Sequence, residues 1–289
     1  MRVSGFTFIR NALLYDYPIV EAIESILPVC DEVVVAVGAS DDETLQLIGS
    51  LGPKVRIVKT IWDESLRAGG AVLALETNKA LAAIDPKADW AFYIQGDEVV
   101  HEADLPAISA AMHQHLHNPA VEGLLFNYRH FYGSYDYVGS SPSWYPAEIR
   151  IVRPSIGVYS YRDAQGFRRG HNQKLRVKPL SAYINHYGWV KEPAAMQRKQ
   201  ESFNKLWHPD AWVAEHVTPA AEFNYASNIS ALAHFTGTHP AVMQTRIAAK
   251  NWQFAHDVSY NRHSTKERFK LVMRQIFGWQ IGYKNYKSI

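Results

Sequence analysis

Four short apolar runs in the first hundred residues, each parted from the next by a helical pattern, constrain this chain more than any other feature. Val3 to Ile9, Glu32 to Val37, Val55 to Val58 and Trp90 to Ile94 are β-branched or aromatic runs bounded by polar breaks, as buried strands are. Between them the spacing predicts helices over 18–27, 42–50 and 68–84. Pro18 falls in the first turn of the first helix, where its missing N–H costs nothing, and Asp16 is the expected cap. The third helix is rich in Ala and Leu and stops at Asp85-Pro86. This alternation predicts an α/β fold: a mostly parallel central sheet flanked by helices. Ligands of such sheets gather beyond the C-terminal strand ends. Arg10-Asn11, Gly38 to Asp42 and Gln95 to Glu98 all fall there.

The chain has 289 residues, 47% of them apolar, enough for one large core or for a core with an appendage. A formal charge of +2 argues against a general nucleic-acid surface. The one cysteine, Cys30, excludes an intramolecular disulfide and an all-cysteine metal cluster. Met1 to Arg10 reads as a strand too soon interrupted for a signal peptide, and no run approaches the roughly 18 apolar residues of a membrane span. The expectation is a soluble cytoplasmic protein, with any membrane contact at the inner face. No Gly-x-Gly-x-x-Gly, P-loop or nucleophile elbow occurs, which weighs against NAD enzymes, kinases and hydrolases.

Beyond residue 100 the alternation weakens. A helix is expected over 103–117, strands over 121–128, 149–153, 175–177 and 183–187, and a helix from Pro193 to Trp207. Residues 129–148, rich in Tyr, Gly, Ser and Pro, read as a long loop whose aromatics wall a cleft: Tyr128, Phe131, Tyr132, Tyr135, Tyr137, Trp144 and Tyr145. The body is expected to span 1–235 and a C-terminal extension 236–289. In the tail, Ser264 and Glu267 form a capping box ahead of an apolar face of Phe269, Val272, Met273 and Ile276, which Phe277, Trp279, Ile281 and Tyr283 continue. Arg262, Lys266, Arg268, Lys270, Arg274, Lys284 and Lys287 face one acid, Glu267. Two readings follow: a helix docked on the body, or a basic amphipathic element at an anionic membrane surface through 264–289.

The candidate chemistry centres on Gln95-Gly96-Asp97-Glu98. Strand neighbours point to opposite faces, so Asp97 and Glu98 cannot both meet one ligand unless the chain turns at Gly96. One of the two carboxylates can then meet a hard divalent cation, Mg²⁺ or Mn²⁺, that accepts water and phosphate oxygens in its other positions, while the other orients a loop or side chain. The alternative is a solvated turn. His186, at a strand end, can complete a metal shell or bind phosphate, or pack as an ordinary histidine. His101, His171 and His239 are weaker. Arg150, Arg153, Arg162, Arg168, Arg169 and Lys174 form a basic stretch suited to phosphate contact or to a solvated surface. Arg10 is better placed, and Asp41 and Asp42 can cap the next helix or hold a ribose or base.

Phe8-Ile9-Arg10-Asn11, Asp31 to Val35, Ser40-Asp41-Asp42-Glu43-Thr44, Asn78 before Ala80-Leu81, and Gln95 to Glu98 occur in that order. In this the chain resembles a family 2 glycosyltransferase of the GT-A fold, in a branch with a Gln-Gly-Asp-Glu variant of the Asp-x-Asp motif. The match is best over 1–105, and His186 to Trp189 resembles a later element of one branch. The resemblance implies a GT-A-like fold with a helical C-terminal extension. It also implies a metal-dependent, inverting enzyme that moves a sugar from a nucleotide-sugar donor to a glycan or lipid-linked acceptor, with cell-envelope polysaccharide as the default product. By the same carry-over, Arg10, Asn11, Asp42, Asn78 and Gln95 meet the nucleotide sugar, and Asp97 and His186 the metal. Val37 stands in place of the base-gripping Asp, and Gln95 in place of the first Asp of the metal motif. Glu148, or its competitor Asp136, is the expected catalytic base. The rival readings are a catalytically degenerate sugar-nucleotide binding or scaffolding protein, and a nucleotidyltransferase.

Overall fold

The computed structural model describes residues 1–66, 68–217, 219–229, 231–260, 262–277 and 284–289. The first third follows the expected order: β1 (Val3–Ile9), α1 (Ile19–Ile26), β2 (Glu32–Gly38), α2 (Thr44–Gly49), β3 (Val55–Thr60), α3 (Ala71–Ala82) and β4 (Trp90–Tyr93). These strands lie parallel in the order β4-β1-β2-β3, with Phe6 opposite Val34 and Tyr93. The two-residue period of β2 divides its side chains between two cores. Val33, Val35 and Val37 pack with Ile19, Ile23 and Ile26 of α1, while Val34 and Ala36 pack with Val72 and Ala80 of α3. Asp16 is not the cap of α1. The helix begins after Pro18 with no side-chain cap, and Asp16 instead pairs with Arg246.

The remainder corrects the expected fold class. β5 (Glu98–Val100), α4 (Leu105–His115), β6 (Gly123–Tyr132), β7 (Ser134–Gly139) and β8 (Ala147–Val152) follow. Then β9 (Val158–Tyr161), β10 (Gly166–Arg169) and β11 (Gln173–Lys174) form a separate antiparallel three-stranded sheet. β12 (Arg176–Trp189), α5 (Pro193–Asn204), α6 (Asp210–His216), β13 (Leu232–His234), α7 (Gln244–Ala248), α8 (Thr265–Phe277) and β14 (Lys287–Ser288) complete the described chain. β8 joins β4 antiparallel, and β6 runs antiparallel to both β8 and β7. β12 lies parallel to β6 and also holds β5 and β14. The main sheet is therefore mixed, and a second sheet stands beside it. A single, mostly parallel GT-A sheet is not what these residues build, and the C-terminus ends on a strand rather than as a purely helical extension.

The stretch 129–148, read as a loop, is largely strand. Its tyrosines alternate, so Tyr135 and Tyr137 share a face and are buried, and Phe131 and Tyr132 enter apolar clusters. In the tail the capping box forms as expected: Glu267 Oε2 accepts from the Ser264 N–H at 2.8 Å, and Ser264 Oγ accepts from the Glu267 N–H at 3.3 Å. The helix touches the body where Glu267 Oε1 accepts from Ser141 Oγ at 2.6 Å, but its apolar face is not buried there: Phe269 and Ile276 are 58% and 65% exposed. Trp279, Ile281 and Tyr283 lie outside the described residues. No helix among the described residues is long and apolar enough to cross a membrane.

One buried ion pair ties β5, β6 and β8 together. Glu98 and Arg150 are 0% and 1% exposed. The guanidinium grips the carboxylate with two bonds, Nε to Oε2 at 2.8 Å and Nη2 to Oε1 at 2.7 Å. The Tyr128 hydroxyl donates to Oε1 at 2.6 Å and the Gln95 N–H to Oε2 at 3.0 Å. Burial opposes the charge on Arg150, but Glu98 outweighs it and holds the guanidinium protonated. Breaking such a pair leaves an uncompensated buried charge. Arg150→Met is expected to lower unfolding free energy in urea by about 3–5 kcal/mol. Arg56→Met, which removes a partly exposed pair with Glu32, should change it by less than about 1 kcal/mol. Equal effects would contradict the assignment.

Candidate functional site

The C-terminal ends of β1, β2 and β4 open into a cavity of about 540 Å³. The α5 helix covers one side, and the β9–β10 turn, with Asp163 and Gln165, reaches in from the small sheet. Asn11 leaves β1 in the left-handed region, φ 54°, which asparagine tolerates. Its amide clamps the end of β2: Nδ2 donates to Asp41 Oδ2 at 3.0 Å, and Oδ1 accepts from the Asp41 N–H at 2.8 Å. Arg10 stacks on Trp62, 5.7 Å from the ring centroid, with the exposed Glu64 3.3 Å away. The result is a cleft with aromatic walls (Phe8, Tyr17, Trp62, Tyr145, Trp189), carboxylates on one rim, and cations at Arg10, Lys199 and Lys205.

Asp97 sits at the floor. Its Oδ2 accepts from Lys199 Nζ at 3.3 Å, and its Oδ1 lies 3.7 Å from His186 Nε2. Burial alone would raise its carboxyl. Lys199, the strongest of the nearby cations, overcomes that and holds it down at about 2. Gly188 makes this junction possible, because a Cβ there would stand 2.7 Å from both Asp97 Oδ2 and His186 Nε2. His186 is held from behind by His130, Nδ1 to Nδ1 at 3.2 Å. The other nitrogen of His130, Nε2, is 2.9 Å from the Tyr145 carbonyl and must donate to it. Burial pushes His130 down to about 3, so the ring is neutral and its Nδ1 accepts. That pattern assigns the proton of His186 to Nδ1 and leaves the Nε2 lone pair facing Asp97. Burial likewise lowers His186 below the usual histidine range.

Of the sequence-predicted residues, Arg10, Asn11, Gln95, Asp97 and His186 line the cavity together. Gln95 Nε2 is spent on the Tyr93 hydroxyl at 3.4 Å and the Ala164 carbonyl at 3.3 Å, which ties the floor to the small sheet. Four others lie apart from this group. Asp42 does not line the cavity; its carboxylate accepts from the Leu14 N–H at 2.7 Å and from the Thr44 N–H at 3.0 Å, so it braces the loop ahead of α2. Asn78 accepts from the Ser160 N–H at 2.7 Å and fastens α3 to β9. Glu148 is buried away from the cavity, where desolvation raises its carboxyl to about 8. Asp136 is exposed on β7 and accepts from Ser134 Oγ at 2.8 Å. Arg150, read as a phosphate contact or a solvated surface group, is the partner of Glu98. Lys199 went unnoticed. Its one signal was position: with Met196 and Phe203 it occupies the apolar stripe of α5, at i, i+3 and i+7, where a lysine needs a partner.

Among the described residues no three His, Cys, Asp or Glu side chains group to hold an ion unaided. Asp97 Oδ1 and the Nε2 lone pair of His186 nevertheless converge beside open space. They fit a divalent cation of the Mg²⁺ or Mn²⁺ type that takes its other ligands from water and phosphate oxygens.

No family model matches the chain. No curated protein matches it by sequence. Among solved structures it is similar to S. aureus TarS, at a TM-score of 0.43 and 14% identity over 76% of this chain and 41% of that one. A 1–349 fragment of TarS in complex with UDP gives 0.42 and 16%, over 76% and 68%. Glucosyl-3-phosphoglycerate synthase from Mycobacterium tuberculosis, in complex with Mn²⁺, UDP and phosphoglyceric acid, gives 0.30 and 22%, over 45% and 43%. The chain thus spans less than half the length of full TarS. At these values the likeness adds nothing to the reading of the cleft, which rests on its own residues. The assignment to family 2 with a GT-A fold is corrected: no family model supports it, and the mixed main sheet with a separate small sheet replaces the single sheet it implied.

Lys191 gives the site a pH signature. Its ammonium is buried, donates to the Asp16 carbonyl and lies 4.6 Å from the Tyr17 ring centroid. Burial, then Lys199, lowers it from 10.5 to about 7. The unfolded chain therefore binds the extra proton between those values, so this group makes stability rise with pH from about 7 to 10.5. Below 7 the folded protein carries the full penalty. Urea unfolding at pH 6 and pH 9.5 should show Lys191→Met gaining on the wild type much more at the lower pH. Parallel profiles would contradict the assignment.

Proposed function

We propose that this protein is a glycosyltransferase that takes a nucleotide-activated sugar in the cleft and passes the sugar to an acceptor hydroxyl. The observation that carries the reading is the junction of Asp97, Lys199 and His186 at the floor of a cavity of about 540 Å³, at converging parallel strand ends. The volume suits a nucleotide sugar. Flat aromatic walls suit a base and the apolar face of a sugar, and the carboxylates of Asp41 and Asp63 suit ribose or sugar hydroxyls. The cations stand where a diphosphate needs neutralising.

Asp163 takes the role first sought in Glu148 and Asp136. It lines the cavity on the β9–β10 turn, and burial raises its carboxyl above the usual range, as a general base needs. The reaction is a single displacement with inversion. The acceptor oxygen bonds to the anomeric carbon, its proton passes to Asp163, and the bond from that carbon to the diphosphate oxygen breaks with its electron pair staying on the diphosphate. A divalent cation on Asp97 and His186 would supply Lewis-acid neutralisation of the diphosphate. Asp97 keeps its charge across the physiological range, and His186 presents its lone pair without first losing a proton.

The test incubates the protein with a panel of nucleotide sugars, Mg²⁺ or Mn²⁺, and soluble and lipid-linked glycan acceptors, and reads nucleoside diphosphate release. Acceptor-dependent release is expected. Asp163→Asn should lower its rate about 100-fold or more while leaving donor affinity within a few-fold. Donor binding without release would leave a binding protein, pyrophosphate release would indicate a nucleotidyltransferase, and no donor binding at all would end the reading.

A further inference from the structure

The cleft holds a cation that no metal site accounts for. Lys199 Nζ has three N–H donors. One is spent on Asp97 Oδ2 at 3.3 Å and one on the Gly188 carbonyl at 3.0 Å. The ammonium also lies 4.9 Å from the Tyr17 ring centroid and 5.9 Å from that of Phe203. Lys191 approaches the same Tyr17 ring, 4.6 Å from its centroid. Lys199 is thus fixed by a carboxylate, a carbonyl and an aromatic face, and it lines the cavity with one donor unspent.

The geometry of Asp97 divides its two oxygens between different cations. Oδ2 belongs to Lys199, and Oδ1 faces His186 Nε2, where a divalent ion fits. A diphosphate that reached an ion on Oδ1 would therefore have the Lys199 ammonium beside it. We propose that Lys199 is a catalytic residue of the donor site, donating its remaining N–H to the diphosphate oxygen that leaves the anomeric carbon. The ammonium keeps its proton throughout. As the carbon–oxygen bond breaks, the electron pair stays on the diphosphate oxygen, and the hydrogen bond from Lys199 strengthens with the charge that develops there. Asp97 acts on this step as a positioning residue, because it aims the ammonium. The proposal rests on the nucleotide-sugar reading above.

The test measures equilibrium binding of UDP, GDP, dTDP and ADP, and of the matching nucleosides, by titration calorimetry. Wild type, Lys199→Met and Lys199→Arg are compared, each with Mg²⁺ and with EDTA. The wild type should prefer its diphosphate to the nucleoside. Lys199→Met should weaken the diphosphate by about tenfold to a hundredfold, the size of one lost charge-assisted hydrogen bond, and leave the nucleoside unchanged. Lys199→Arg should recover most of the loss. A merely structural lysine would weaken both ligands together or neither, and either result overturns the proposal. Should Lys199→Met fail to fold, Lys199→Gln, which keeps the stem and a donor without the charge, reads the same contrast. No nucleotide binding by the wild type in any condition would instead overturn the reading on which the proposal rests.

Discussion

The Glu98–Arg150 pair decides where everything in the cleft can stand. Two bonds between buried groups fix β5 against β8, and the Tyr128 hydroxyl draws in β6. The same carboxylate accepts the Gln95 N–H, so the turn from Gln95 to Glu98 is closed from inside the protein. With Glu98 committed inward, the chain presents Asp97 to the cavity, and the Tyr187 N–H, donating to the Asp97 carbonyl at 2.8 Å, holds that orientation from β12. A geometry fixed by backbone and buried charge thus precedes any ligand.

The cleft divides its labour by burial. Asp97, Lys199 and His186 lie at the closed end, where low dielectric strengthens each interaction and where the net shift of Asp97 follows the cations rather than desolvation. Arg10, Asp63 and Glu64 lie nearer solvent, where the Arg10–Glu64 contact is weak and easily exchanged for a ligand contact. His130 belongs to neither group. It never reaches the cavity, yet its bond to the Tyr145 carbonyl sets the proton on His186 and hence which nitrogen a ligand can meet.

The first hundred residues were legible because each strand and helix there carries its own period. The strand ends at Arg10, Asp41 and Gln95 fell where the alternation placed them, and Asp97 parts from Glu98 because the chain turns at Gly96 and Asp97 before β5 begins. What escaped depends on distant partners. Nothing near Arg150 in sequence shows that its carboxylate lies 52 residues earlier, so it read as surface or phosphate-binding. The tyrosine-rich stretch resembled a loop because its turn residues outnumber its β-branched ones, yet Tyr135 and Tyr137 alternate as a strand must. Glu148 was sought as a base from its position after the aromatic stretch, while the acid that reaches the cavity, Asp163, comes from a small sheet that short runs at 158–174 did not announce. Lys199 was visible only as a charge on an apolar helix face.

We propose that Asp97, Lys199 and His186 form the diphosphate end of a nucleotide-sugar site. A crystal structure of the protein with its preferred nucleoside diphosphate and Mn²⁺ tests it most directly. The diphosphate is expected at the cleft floor within hydrogen-bond reach of Lys199 Nζ, with the ion on Asp97 and His186 and the base between the aromatic walls. A nucleotide bound outside this cleft, or inside it with its phosphates turned away from Asp97 and Lys199, would contradict it.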